Sequence, residues 1–282
     1  MRETMAANEP DGGWGAPERP TLAELGTDLL EMPAGFRAFT LALPFLATAL
    51  FFLLAARGWW WLAVPAVGLQ TFCTYASVSH DLVHGTLRLP ARVNDLLLAV
   101  VELLGLRSGH AYRATHLFHH RRFPDPEDLE GAPARMSLPR VVLEGPVYLP
   151  RLALWAWRHS RRHERAWMAA ESAAIAAYLA VAAALWLGGG TPLPALYAAL
   201  VIPASWAFPF VFVYLMHDAA ARSELFQTRA FRGRLLPALM LHHTYHLEHH
   251  LYPTVPARNW RALGRRLDPL LTRAGVVAIR LP

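Results

Sequence analysis

Apolar and polar positions alternate along this chain in whole segments. Residues 1–30 are rich in Gly, Pro and acidic side chains and carry no sustained apolar period, which predicts a mobile tail from Met1 to Leu30. Phe36 to Ala56 is the first long apolar run, broken only by Arg37, and a turn at Arg57-Gly58 leads into a second run from Trp59 to about residue 79. A third, Trp167 to Leu187, is joined by the uncharged stretch Gly188–Pro194 to a fourth, Leu193 to Met216, in which Pro203 and Pro209 predict kinks. Each run approaches the ~20 residues that a helix needs to cross the hydrocarbon core. The pattern predicts an all-α integral membrane protein with four spans, at 36–56, 59–79, 167–187 and 193–216, in one domain covering residues 31–282.

Between the second and third runs, residues 86–166 are polar and hold 13 arginines. Within them Leu96–Leu106 is apolar but too short to span, so it reads as a re-entrant or interfacial helix. Val141–Trp167 mixes apolar residues with arginines, the pattern of an amphipathic pair lying on a surface. Trp59, Trp60 and Trp61 fit an aromatic belt at the membrane interface.

Composition strengthens the membrane reading. The chain of 282 residues is 54% hydrophobic with a mean hydropathy of +0.23, and its net charge of +6 comes from arginine alone, since there is no lysine. A basic chain suits nucleic acid or a membrane surface. These arginines flank apolar segments, so the membrane is the expected partner and nucleic acid is not. One arginine, Arg57, falls in a predicted outer loop and the other 26 elsewhere, which places both termini and residues 86–166 on the cytoplasmic side. No signal peptide is expected at the N-terminus. A bacterial inner membrane is the expected location. The single Cys73, inside an apolar run, excludes an internal disulfide and a cysteine-held iron–sulfur cluster.

The chemistry lies in the histidines. His246, His249 and His250 stand at i, i+3 and i+4, as do His116, His119 and His120; His80 and His84 form an i, i+4 pair. Such positions share one helix face, with Cβ atoms about 5–6 Å apart. Pro253 and Pro256 place the last cluster at a helix end, and His242 and His243 are read as extending that helix. Neutral imidazole suits Fe, Zn, Cu or Ni, and eight such groups exceed what one tetrahedral zinc uses. A centre of two metals is therefore predicted, with His217, directly after the fourth run, as a ninth ligand. Asp81, His242 and Glu248 are the expected supports that orient liganded imidazoles. Asp125, Asp128 and Glu130 are expected to brace their loop through Arg121 or Arg122 or to face solvent, His110 to serve local structure, and His159 and His163 to face solvent or lipid headgroups.

His80-Asp-Leu-Val-His84-Gly85, His116-Leu-Phe-His119-His120 and His246-Leu-Glu-His249-His250-Leu-Tyr-Pro253, in this order and with apolar runs between them, resemble the membrane-integral fatty acid desaturase and hydroxylase superfamily over residues 36–265. The resemblance implies four spanning helices with a cytoplasmic helical cap holding two non-heme irons. It implies dioxygen-dependent oxidation of a lipid or other apolar membrane substrate, with electrons from an external donor such as a ferredoxin and its reductase. His80, His84, His116, His119, His120, His246, His249 and His250 become iron ligands, and His217 matches an additional ligand of the desaturases. Val213 stands where those enzymes carry an asparagine, and the segment after the second cluster is shorter than is common. The expected reaction is desaturation of an acyl chain. Carotenoid enzymes, hydroxylases or ketolases, share the scaffold and form the alternative. A metal transporter is more distant, because transport sites lie at the bilayer midplane with polar residues inside the spans.

Overall fold

Residues 19–221 and 223–282 are described by a computed structural model of the chain. Helix α1 (Ala34–Ala56) turns at Gly58, which adopts the left-handed φ of 74°, into α2 (Trp60–Phe72). The α2 rod continues through a π-helical stretch, Cys73–Ser79, into the turn His80–His84. Gly85 ends it at φ 66°, a conformation that glycine adopts without a Cβ penalty. Next come α3 (Ala91–Leu104) and α4 (Gly109–Arg122), whose N-terminus is capped by the Ser108 hydroxyl accepting from the Ala111 N–H. Helices α5 (Leu138–His159) and α6 (Arg162–Leu187) are separated only by Ser160 and Arg161 in extended conformations. Helix α7 (Leu193–Ala204) runs on through a 3₁₀ turn into a π-helical stretch, Pro209–Tyr214. Two short helices close the chain, α8 (His246–Leu251) and α9 (Trp260–Arg273), beside a parallel pair of two-residue strands, β1 (Phe231–Arg232) and β2 (Ile279–Arg280).

Among the described residues three helices are long and apolar enough to cross a membrane: Thr27–Ala56, Arg162–Leu187 and Leu193–Tyr214. The predicted span at 59–79 is helical but is not among them. Its second half is the π-helical stretch, buried along its whole length and carrying Thr74, Ser77 and Ser79. The expected second member of the surface pair proves to be the first turns of α6, continuous with the third predicted span. Outward-facing apolar side chains stud these helices, among them Leu46, Trp61, Val181 and Leu187. In water such a surface is unfavourable, and in a bilayer it is the solvated one.

Among the described residues four apolar cores form, and the three larger ones hold the frame around the site. Phe51, Ala63, Val67, Tyr197 and Val201 join α1, α2 and α7. Tyr75, Leu82, Tyr112, Tyr148, Phe208 and Phe212 fill the space beneath the histidines, where Gly145 allows α5 to approach the Trp206 backbone closely: a Cβ there would lie 2.6 Å from the Trp206 carbonyl oxygen. Trp260, Leu263 and Leu267 pack against Leu247, Leu251, Leu25 and Leu29.

That last core corrects part of the predicted tail. Residues 1–18 lie outside the described residues, but the stretch from Arg19 to Leu30 is built into the fold. Thr21 and Glu24 form a reciprocal cap on a short helix, and Leu25 and Leu29 are buried against α9. Arg266 pairs with Asp28 at 2.6 Å, and Asn259 donates to the carbonyls of Leu29 and Glu31. Two leucines at i, i+4 are enough to dock a segment that is otherwise polar.

Candidate metal centre

The first histidine pair leaves the end of the α2 rod, the second cluster projects from α4, and the third is α8 itself. The Nε2 atoms of His80, His249, His120 and His116 form a closed ring with edges of 3.0, 2.7, 3.2 and 3.1 Å. His84 joins them, its Nε2 buried without a hydrogen-bond partner. A second group gathers around His217, whose Nε2 lies 3.1 Å from that of His119, and 3.2 Å from those of His246 and His250. All nine histidines expected at the site are thus brought together, five in one group and four in the other.

These contacts are not ordinary hydrogen bonds. The Val213 carbonyl, 3.0 Å from His217 Nδ1, can only accept, so neutral His217 carries its proton there and presents a lone pair on Nε2. Three other imidazole nitrogens crowd that lone pair. A neutral imidazole has one N–H, so a closed ring or a three-fold crowd of Nε2 atoms cannot satisfy itself. A cation at the focus would satisfy every member, and N···N separations near 3 Å suit imidazoles sharing a metal at about 2.0–2.1 Å. Burial, reinforced by the neighbouring imidazoles, holds the pKa values of His80, His116, His120, His246, His249 and His250 well below the usual histidine range. Burial alone takes His84 to about 4. Neutral imidazole is the form that binds metal. The donor set fits two metal ions, since the histidines of each group could hold one.

The supporting residues differ from those expected. His116 Nδ1 lies 2.6 Å from Glu130 Oε1, and His119 Nδ1 lies 2.7 Å from Asp128 Oδ2, both pairs buried. Burial works against a charged His119, but the Asp128 hydrogen bond and the charges of Asp128 and Glu130 outweigh it and raise the pKa. Burial pushes Glu130 up to about 8. The loop carboxylates therefore orient the imidazoles, the role that sequence reasoning gave to Asp81, Glu248 and His242. Asp81 instead accepts from the Thr86 hydroxyl and the Ala257 N–H, at 2.8 and 2.9 Å, tying the end of the α2 rod to the turn before α9. Glu248 pairs with Arg232 at 2.5 Å, and Arg232 also reaches Asp268.

His242 makes no hydrogen bond to His246. The predicted helical extension is absent, because Leu241 and His242 take left-handed φ values of 48° and 66° and α8 starts only at His246. That turn buries His243, which sequence reasoning left outside the site. Its ring centroid lies 4.8 Å from that of His246, and it has no hydrogen bond of good geometry. Five histidines in nine residues gave no signal to single it out.

Between the two groups lies a cavity of about 10 Å³, room for one water-sized molecule, walled by Tyr75, Tyr112, Phe212 and Val213 as well as imidazoles. Trp260, fully buried, packs on the first group with its ring 5.1 Å from His80 and 4.8 Å from His249.

Comparison with known families agrees with this geometry. A family model described as fatty acid desaturase matches residues 58–281, which include all nine of these histidines. The chain belongs to the fatty acid desaturase family. No curated protein matches it. Membership makes this desaturase-family protein an oxidoreductase of the desaturase or hydroxylase type, and its two histidine groups are compatible with the metal dependence typical of the family.

Proposed function

We propose that this protein is a membrane-bound di-iron oxygenase-type enzyme that desaturates the acyl chain of a fatty acid or lipid. The observation that carries the reading is the convergence of nine Nε2 atoms in two groups at the polar ends of apolar helices. His80, His84, His116, His120 and His249 hold one iron, and His119, His217, His246 and His250 the other. When bound, the irons supply dioxygen activation for C–H oxidation, with electrons from an external donor such as a ferredoxin and its reductase.

The chain's own residues set the geometry. Asp128 and Glu130 fix the rings of His119 and His116, and the Val213 carbonyl fixes His217. Tyr75, Phe208 and Phe212, with ring centroids 4.2–5.1 Å apart, form an apolar wall between the membrane-side core and the histidines. An apolar substrate dissolved in the bilayer approaches along that wall, and water is kept out. The arginine distribution supports an inner-membrane orientation with the histidines on the cytoplasmic side, the α2 rod acting as a fourth span. A transporter reading is disfavoured because the clustered histidines lie outside all three candidate spans.

The test is product analysis by mass spectrometry in a bacterial host making β-carotene, supplied with a ferredoxin and its reductase. New double bonds in the membrane acyl chains are expected. Hydroxy- or keto-carotenoids with unchanged acyl chains would assign the site to carotenoid oxidation instead.

A further inference from the structure

The face of α4 turned away from the clustered histidines lines a separate cleft of about 490 Å³, closed on its far side by the junction of α5 and α6. Its polar lining is basic and held in place. His110 Nδ1 bonds Glu171 at 2.7 Å, and its ring stacks on Trp167 with centroids 4.7 Å apart at 6°. These contacts leave Nε2 buried with no hydrogen-bond partner. Arg113 pairs one guanidinium nitrogen with Asp95 at 2.6 Å, while its other terminal nitrogen is buried without a partner. Arg121 and His163, both exposed, make no ion pair among the described residues. His159 is fixed by its bond to the Trp155 carbonyl at 2.7 Å and by stacking on that indole. The one acid in the lining, Glu164, is engaged with the Arg161 N–H at 2.8 Å.

Unpartnered guanidinium nitrogens fit a phosphate. An imidazole whose Nδ1–H is given to a carboxylate offers an accepting Nε2, which fits a hydroxyl. The cleft lies at the polar start of α6, a candidate span, and the adjacent α5 residues Leu154 and Trp157 are exposed apolar side chains. Phe118, Leu117 and Trp155 give the cleft apolar walls that a free anion does not need.

We propose that this cleft binds the headgroup of an anionic membrane phospholipid, with the phosphate on Arg113 and Arg121 and a headgroup hydroxyl on His110. Phosphatidylglycerol has that chemistry. The lipid braces α4 from behind, on the face opposite His116, His119 and His120, and is not the molecule oxidised at the histidines.

Native mass spectrometry of the metal-loaded full-length protein in detergent, titrated with phosphatidylglycerol, phosphatidylcholine or glycerol 3-phosphate, tests this. Phosphatidylglycerol is expected to be retained selectively. Arg121→Glu should weaken its retention about tenfold, the size expected when a charged hydrogen bond is lost, and His163→Glu, which adds a carboxylate to the cleft lining, should weaken it as well. Both side chains are exposed, so the fold should persist; Arg273→Glu, on α9 and outside the cleft, should leave retention unchanged. Equal retention of phosphatidylcholine, or indifference to both cleft variants, would overturn the proposal. Glycerol 3-phosphate binding as tightly as the lipid would assign the cleft to a soluble phosphate ester. Capture of an acidic redox protein that Arg121→Glu abolishes, with no lipid retained, would make it a protein-docking site.

Discussion

His217 Nδ1 donates to the carbonyl of Val213, one turn earlier in the same rod, at 3.0 Å. The bond is possible because the π-helical stretch Pro209–Tyr214 delivers His217 to the end of its helix with the ring folded back over the last turn. A side-chain amide one turn before the histidine is thus unnecessary for orienting it, since the backbone at Val213 does so. His217→Ala should reduce bound iron to about half. His119→Ala, His246→Ala or His250→Ala should do likewise, and each should lower turnover at least about 100-fold, beyond the range for losing an outer support. Iron per chain by elemental analysis, beside product yield, checks this; full turnover in any of the four would remove that residue from the ligand set.

Asp128→Asn should weaken iron binding by about 10–100-fold, the usual effect of removing a carboxylate behind a liganded imidazole. Asp81→Ala, which unlike asparagine keeps no acceptor for either bond, should behave differently. Its partners are the Thr86 hydroxyl and the Ala257 N–H, so the loss is a structural hydrogen-bond network worth about 1–3 kcal/mol, seen as a lower melting temperature with iron content retained. Titration of iron into the two apo variants separates the roles.

Iron affinity should rise with pH between about 7 and 9. Burial raises Glu130 to about 8, so below that pH the metal-free protein holds a proton on the carboxyl that supports His116. A cation among the imidazoles favours the carboxylate and expels that proton, so binding at neutral pH releases it and binding above pH 8 does not. The histidines that burial keeps neutral contribute little to this release, whereas His119, whose pKa Asp128 raises, adds to it wherever it is charged. Calorimetry in buffers of different ionisation enthalpy measures it, and a proton count of zero at pH 7 would show Glu130 already ionised.

Removing the metal should destabilise the fold specifically around α4 and α8. Without a cation the buried Nε2 of His84 lacks a partner, at about 1–3 kcal/mol for an unsatisfied group, and the crowded Nε2 lone pairs around His217 face one another. Chelation should therefore lower the melting temperature, and re-addition of iron should restore it in proportion to the logarithm of free metal. Hydrogen exchange should quicken in residues 109–122 and 246–251 before it does in α1.

The gathering of these histidines was legible in the chain because i, i+3, i+4 spacing on a helix leaves few ways for three imidazoles to point. His217 was legible from its position at the end of an apolar run. The supports were not, because a carboxylate reaches an imidazole through a loop fold that spacing does not encode. Asp128 and Glu130 lie 9 and 14 residues from their histidines, whereas Asp81 and Glu248 sit inside the clusters but are bonded to partners elsewhere, Asp81 to Thr86 and Ala257 and Glu248 to Arg232. His243 depends on two left-handed residues, Leu241 and His242, that no apolar period announces. The apolar runs predicted the helices well, but burial of the π-helical stretch after α2 is a tertiary fact. A run of 20 apolar residues reads the same whether lipid or protein surrounds it.

Phe212 offers a test of how the substrate reaches the metals. Its ring contacts Tyr75, Phe208 and Phe72 on one side and His243 on the other, with centroids 4.7, 5.1, 5.5 and 4.6 Å away. The cavity beside it holds only a water-sized molecule, so an acyl chain needs this wall to yield before a methylene can approach the histidines. Phe212→Ala removes the ring without touching a ligand. It should cost about 3–5 kcal/mol of stability as a core truncation, less if the space fills with substrate. If the chain enters past Phe212, the enlarged opening should admit it further and move the new double bond along the acyl chain, with iron content unchanged. Mass spectrometry of derivatised products locates the bond. A loss of turnover with the bond position fixed would mean that Phe212 only packs the core and that the substrate arrives by another face.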